Sequence, residues 1–120
     1  MIDIDTCKFE DSTFIQQGKT WSAPYLYKCA EEQKCKTFKL NLDHYDLTYK
    51  RFAGCTRVVD IAYHCKRIND SDLSHPILLG PYGALVDGYH RIAKALMIRQ
   101  KTILAIKLKD WPEPDGVDND

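Results

Sequence analysis

The sequence predicts an α+β protein in which a small mixed β-sheet packs against helices. Residues 37–42 alternate between apolar and polar side chains, which is typical of a half-buried strand. Residues 58–70 repeat their apolar side chains at the spacing of one helix face, and this pattern predicts that the following residues point inward: Val58, Ile61, Ala62, Cys65 and Ile68. Since strands and helices each bury one apolar face, a sheet covered by helices buries both kinds together.

The remaining elements follow from turn residues and short apolar runs. Together these patterns predict the order α, β, α, β, β, α, β, at residues 21–35, 37–42, 58–70, 76–79, 84–86, 89–99 and 102–108. Residues 1–20 and 112–120 are predicted to be tails, with a loop at 18–20. The 120 residues are therefore expected to form one domain, with a core over about 37–109.

The composition of the chain argues against a membrane span, a signal peptide and a structural metal. Seventeen Lys and Arg balance seventeen Asp and Glu, with acidic residues concentrated at both ends and basic ones in the middle. No apolar run approaches the roughly 18 residues that a membrane span needs, and the first residues lack the pattern of a signal peptide. Five cysteines without a C-x-x-C pair favour reduced thiols and no structural metal. We therefore expect a cytoplasmic protein without a membrane partner.

The segment Asp87-Gly88-Tyr89-His90-Arg91 stands between a predicted strand and a predicted helix. The first amides of a helix have no partner within the helix, and the helix dipole adds positive potential there. Gly88 permits close approach of the backbone, while Arg91 and His90 supply donors for an anion. This combination predicts a phosphate site. The alternative is purely structural: Asp87 caps the helix, and Arg91 pairs with an acidic neighbour.

The stretch over about 74–108 resembles the ParB/sulfiredoxin superfamily, through a Pro-Ile strand, a turn, a second strand and the Asp-Gly-Tyr-His-Arg motif. The resemblance implies that a nucleoside triphosphate, ATP or CTP with Mg²⁺, binds at the start of the helix. It implies phosphate contacts from Gly88, Tyr89, His90 and Arg91, and catalytic roles for Asp87 and His90. Sulfiredoxins have a Cys where this chain has Tyr89, so reduction of a sulfinic acid is not expected.

Three functions remain open at this stage. The first is a nucleotide-binding domain that hydrolyses the nucleotide or transfers its phosphate. The second is a non-catalytic binding or inhibitor protein of a phage or plasmid that uses this fold to engage a host protein. The third is a ParB-like nucleic-acid binder or nuclease, which the basic middle of the chain favours.

Overall fold

Two β-sheets and three α-helices make up the part of the chain that the structure, a computed structural model, describes: residues 13–45, 47–48 and 57–117. The elements in chain order are β1 (Thr13–Gln16), β2 (Lys19–Ser22), α1 (Ala23–Glu32), β3 (Phe38–Asn41), a 3₁₀ turn (Leu42–His44), α2 (Val58–Asp70), β4 (Ile77–Leu79), β5 (Leu85–Asp87), α3 (Tyr89–Met97), β6 (Thr102–Lys107) and β7 (Gly116–Val117).

The larger sheet has the strand order β3-β6-β4-β5. Its outer pairs, β3 with β6 and β4 with β5, are antiparallel, whereas β4 and β6 run parallel in its centre. The sheet is therefore mixed, and the α+β class predicted from the sequence is confirmed. All three residues of β4 are buried, as expected for a central strand covered on both faces.

The core lies on both sides of this sheet. One face carries Leu78 and Val86 and packs against Leu26 and Ala30 of α1. The other face packs against α3, and its buried residues are Leu42, Ile77, Leu79, Leu85, Ile92, Ala95, Ile103 and Ala105. Successive side chains of β4 point to opposite faces of the sheet, so this one strand contributes buried residues to both halves of the core.

The two regions predicted to be tails contain strands in their described parts. β1 and β2 form a hairpin around Gln17 and Gly18, which both have positive φ angles (54° and 77°). Two such residues form the tight turn that two-residue hairpins require. β7 pairs with β2 on its other side. The tail prediction for 13–20 and 116–117 is therefore wrong, because four-residue strands are too short to show an alternating pattern, and β7 pairs with a strand near the other end of the sequence.

Helix α2 has the predicted bounds, but its inward face is not the predicted one. Val58 is 83% exposed and Ile61 is 52% exposed, whereas Asp60 and Tyr63 are the buried residues of the helix. The helix packs against α3, with His64 next to His90. The apolar stripe was thus assigned to the wrong side, because contact with α3 rather than apolar content sets the orientation of α2.

None of the helices in the described ranges is long and apolar enough to cross a membrane.

Candidate functional site

The start of α3 is built around Gly88. This residue is the N-cap of the helix, with φ 119° and ψ 19°, a left-handed conformation that L side chains rarely adopt. A Cβ atom here would lie 2.4 Å from Cγ2 of Ile77, which is fully buried in β4. No side chain caps the helix, so Asp87 does not act as its cap. The amides of the first turn therefore depend on partners from outside the helix.

Asp87 and Arg91 form an ion pair across this first turn. Nη2 of Arg91 lies 2.9 Å from Oδ2 of Asp87, and both side chains are only 17% exposed. The hydroxyl of Tyr27 joins the pair: it accepts a hydrogen bond from Nη2 of Arg91 at 2.9 Å and lies 3.1 Å from Oδ2 of Asp87. The network connects α1, β5 and α3. The pairing of Arg91 with an acidic neighbour, predicted as the structural alternative to phosphate binding, is therefore present in the molecule.

The guanidinium of Arg91 is held on both of its terminal nitrogens. Nη1 donates to the backbone oxygen of Pro76 at 3.2 Å and to that of His75 at 3.5 Å, while Nη2 donates to Asp87 and Tyr27. These four bonds match the four Nη hydrogens. In this arrangement Arg91 fixes the start of α3, and a bidentate grip on a phosphate would require those bonds to break.

His90 forms a hydrogen-bonded pair with His64 of α2. Nδ1 of His64 lies 2.9 Å from Nε2 of His90, and the rings lie 17° from parallel with centroids 5.1 Å apart. That separation fits rings meeting edge to edge in a shared plane. One of the two facing nitrogens must carry the proton and the other must accept it. Protonating both rings would place two N–H groups face to face, so the pair favours neutral imidazoles.

The surroundings reinforce this neutral state. Burial, then the positive charge of Arg67, and then the neighbouring His64 together lower the pKa of His90 to about 4. Burial and Arg67 also lower the pKa of His64, against an opposite effect of Asp60. Near pH 7 both rings are therefore neutral, each able to offer an N–H donor or a nitrogen acceptor.

A cavity of about 360 Å³ opens at the same place. Its lining comes from α2, the loop after α2, the end of β5 and the start of α3: Tyr63, Lys66, Arg67, Asp70, Ser71, Asp72, His75, Asp87, Gly88, His90 and Arg91. The volume lies at the lower end of the range typical of small-molecule sites. The lining is predominantly polar and charged, which suits a charged ligand better than an apolar one.

Of the residues predicted for the phosphate site, Asp87, Gly88, His90 and Arg91 line this one cavity. The side chain of Tyr89, the first residue of α3, instead packs against the core, and its hydroxyl lies 3.4 Å from the backbone oxygen of Leu85. Of this residue, the backbone amide is therefore the group positioned at the helix start.

Sequence reasoning missed the contribution of α2. Arg67 and Lys66 line the cavity opposite α3, and His64 orients His90. The missed signal was the run His64-Cys65-Lys66-Arg67 itself, which concentrates cationic and titratable side chains in one turn of a predicted helix. That run was overlooked because α2 was interpreted from its apolar stripe alone.

The same residues offer little for a protein-bound metal ion. Within the described ranges, no group of three or more His, Cys, Asp or Glu side chains comes together in a way that could hold a metal ion. Mg²⁺ that arrives with nucleotide phosphates keeps several waters and needs only one or two carboxylates from the protein. Asp87 fits that lesser role: among the described residues its Oδ1 has no hydrogen-bond partner, while Oδ2 faces Arg91 and Tyr27.

Comparisons of this chain with models of protein families, with curated proteins and with solved structures found no match. The resemblance to the ParB/sulfiredoxin superfamily therefore stays a prediction from the motif.

Proposed function

We propose that the protein binds the phosphate groups of a nucleoside triphosphate in the cavity at the start of α3. One observation carries the proposal: the uncapped N-terminus of α3, opened by the left-handed Gly88, meets a cavity that Lys66 and Arg67 line from the facing helix. Helix amides and cationic side chains converging on one polar cavity are the usual means of holding a phosphate in proteins. The Asp-Gly-Tyr-His-Arg motif supports the same function through its resemblance.

The residues of this site would have different roles in holding the nucleotide. The backbone from Gly88 to His90 would donate to phosphate oxygens, and the neutral ring of His90 would add a donor or acceptor at the wall of the cavity. Arg91 would hold the junction between β5 and α3 in position through its bonds to Asp87 and Tyr27. Bound nucleotide would bring Mg²⁺, which neutralises phosphate charge, with Asp87 as its protein ligand.

Turnover is the second part of the proposal. Hydrolysis or transfer of a phosphate requires a group that accepts a proton from the attacking water or hydroxyl. His90 is the motif residue available for that role, because its ring is neutral near pH 7 and lines the cavity, and its pKa of about 4 makes it a weak base. A protonated histidine that acts as a general acid is not expected here.

The test is a thermal-unfolding panel with ATP, CTP, GTP and inorganic triphosphate, each with and without Mg²⁺. A ligand at one hundred times its dissociation constant adds about 2.7 kcal/mol to the free energy of unfolding, which is readily seen as a rise in melting temperature. We expect at least one of these compounds to stabilise the protein. The same mixtures, assayed for released phosphate, measure turnover.

A matched pair of variants locates the site. His90→Ala should weaken binding, whereas His44→Ala, which changes an exposed histidine in the 3₁₀ turn outside the cavity lining, should not. Failure of all four compounds to stabilise the unmodified protein would refute the proposal, and so would equal binding by both variants.

A further inference from the structure

We infer that Arg67 of α2 is the residue that engages the bound anion directly, and that Arg91 is a positioning residue. This inference rests on the proposed function and names the side chain that gives the site its affinity. It reverses the assignment that the motif predicts, in which Arg91 grips the phosphate.

The guanidinium groups of Arg91 and Arg67 differ in how far partners within the protein occupy them. Both terminal nitrogens of Arg91 are held by acceptors within the protein. Arg67 has a different environment: among the described residues it forms no ion pair, and its side-chain hydrogen bond is a long one, 3.4 Å from Nη1 to the hydroxyl of Tyr63. A phosphate could therefore form a charge-assisted fork with Arg67 without breaking an ion pair.

The charges that line the cavity also distinguish Arg67 from the other cations. Its lining holds three cations, of which Arg91 is paired with Asp87, and Lys66 lies 3.8 Å from Asp70. The third carboxylate, Asp72, receives hydrogen bonds from the backbone and hydroxyl of Ser74. Arg67 is thus the lining cation whose charge no described carboxylate offsets.

The charge of Arg67 lies close enough to act on the first turn of α3. The guanidinium of Arg67 lies 5.8 Å from the ring centroid of Tyr63, which holds the side chain on the cavity side of α2. Its charge acts on both His64 and His90, so its field reaches the first turn of α3. An anion placed between Arg67 and the α3 amides would receive donors from both walls.

The experiment measures binding of inorganic triphosphate and of CTP by calorimetry to the full chain and to Arg67→Gln, Arg67→Lys and Arg99→Gln. Arg99 is exposed and lies outside the cavity lining, so its variant has the same change of net charge without a change in the site. We expect Arg67→Gln to weaken binding about 10- to 100-fold, Arg67→Lys to weaken it less, and Arg99→Gln to change it by less than about twofold. Arg67 is exposed, so its variants should fold, and their melting curves check this.

The nuclear magnetic resonance signal of the His90 ring supplies a readout that a purely structural role would not move. In the unliganded Arg67→Gln protein the pKa of His90 should rise, because a positive charge that opposes protonation has been removed. Triphosphate should shift this signal in the unmodified protein and much less in Arg67→Gln.

The binding results distinguish the role of Arg67 from the proposed phosphate binding itself. If the unmodified protein binds triphosphate and Arg67→Gln binds it equally well, the inference is overturned while the proposed function stands. If the thermal-unfolding panel identifies ATP or GTP as the ligand, that nucleotide replaces CTP in the calorimetry. If the unmodified protein binds none of the four compounds, both are overturned. Loss of binding in Arg67→Gln together with unchanged binding in Arg99→Gln supports both.

Discussion

Replacing Gly88 with alanine tests whether the start of α3 is held as the geometry indicates. Two separate costs arise from the one added carbon. A non-glycine residue in a left-handed conformation costs about 1–2 kcal/mol. The new Cβ would also lie 2.4 Å from Cγ2 and 2.7 Å from Cβ of Ile77, which is fully buried. Overpacking of this kind costs about 1–3 kcal/mol.

The expected loss is therefore about 2–5 kcal/mol in the free energy of unfolding. Urea denaturation followed by circular dichroism measures it. For a denaturant slope of about 1–3 kcal/mol per molar, a loss of about 3 kcal/mol lowers the midpoint by about 1–3 M.

Gly83→Ala separates strain from overpacking. Gly83 has a similarly left-handed φ of 92°, but a Cβ there would meet no atom within 4 Å. This variant should lose only the strain term, about 1–2 kcal/mol. If Gly88→Ala destabilises the protein no more than Gly83→Ala does, the close packing of α3 on β4 is not as described, and the reasoning from Ile77 is refuted.

Two further predictions concern the polar network around the cavity. Tyr27→Phe removes the hydroxyl that links Asp87 to Arg91 and should lower the free energy of unfolding by about 1–3 kcal/mol, whereas Tyr82→Phe, at a side chain 94% exposed, should leave it unchanged in the same urea titration. Stability should also fall as the pH drops from 6.5 to about 4, because in this interval the unfolded chain binds a proton at His90 that the folded protein does not. Above 6.5 the ring is neutral in both states, and below 4 it is protonated in both, so the loss is then complete; solvent screening of a half-buried ring limits it to about 1–2 kcal/mol. A His90 signal that titrates near 6.5 in the folded protein would contradict this second prediction.

Local pattern was sufficient for much of the secondary structure. The bounds of α2, 58–70, agree with the helical spacing predicted from the sequence, and β4, β5, α3 and β6 lie where turn residues and apolar runs place them. These elements are determined by residues within a few positions of one another, because backbone hydrogen bonding and turn chemistry are local.

Local pattern also located one wall of the candidate site. Asp87, Gly88, His90 and Arg91 are adjacent in the chain, so the strand-to-helix junction that gathers them is visible in the sequence. The sequence does not show which of the two predicted partners Arg91 contacts. Whether Arg91 faces an anion or Asp87 and Tyr27 depends on α1, whose Tyr27 lies 60 positions away from Asp87.

The contribution of α2 to the cavity depends on tertiary structure alone. Apolar spacing shows that α2 has a stripe but not which neighbour the helix meets, and packing against α3 turned Tyr63 and His64 inward while leaving Val58 exposed. That rotation brings Arg67 to the cavity and His64 to His90. The sequence by itself thus determined the helices, most of the strands and the junction at Gly88. The packing of α2 on α3 determined which charges face one another, because side chains from separate elements meet only after those elements dock.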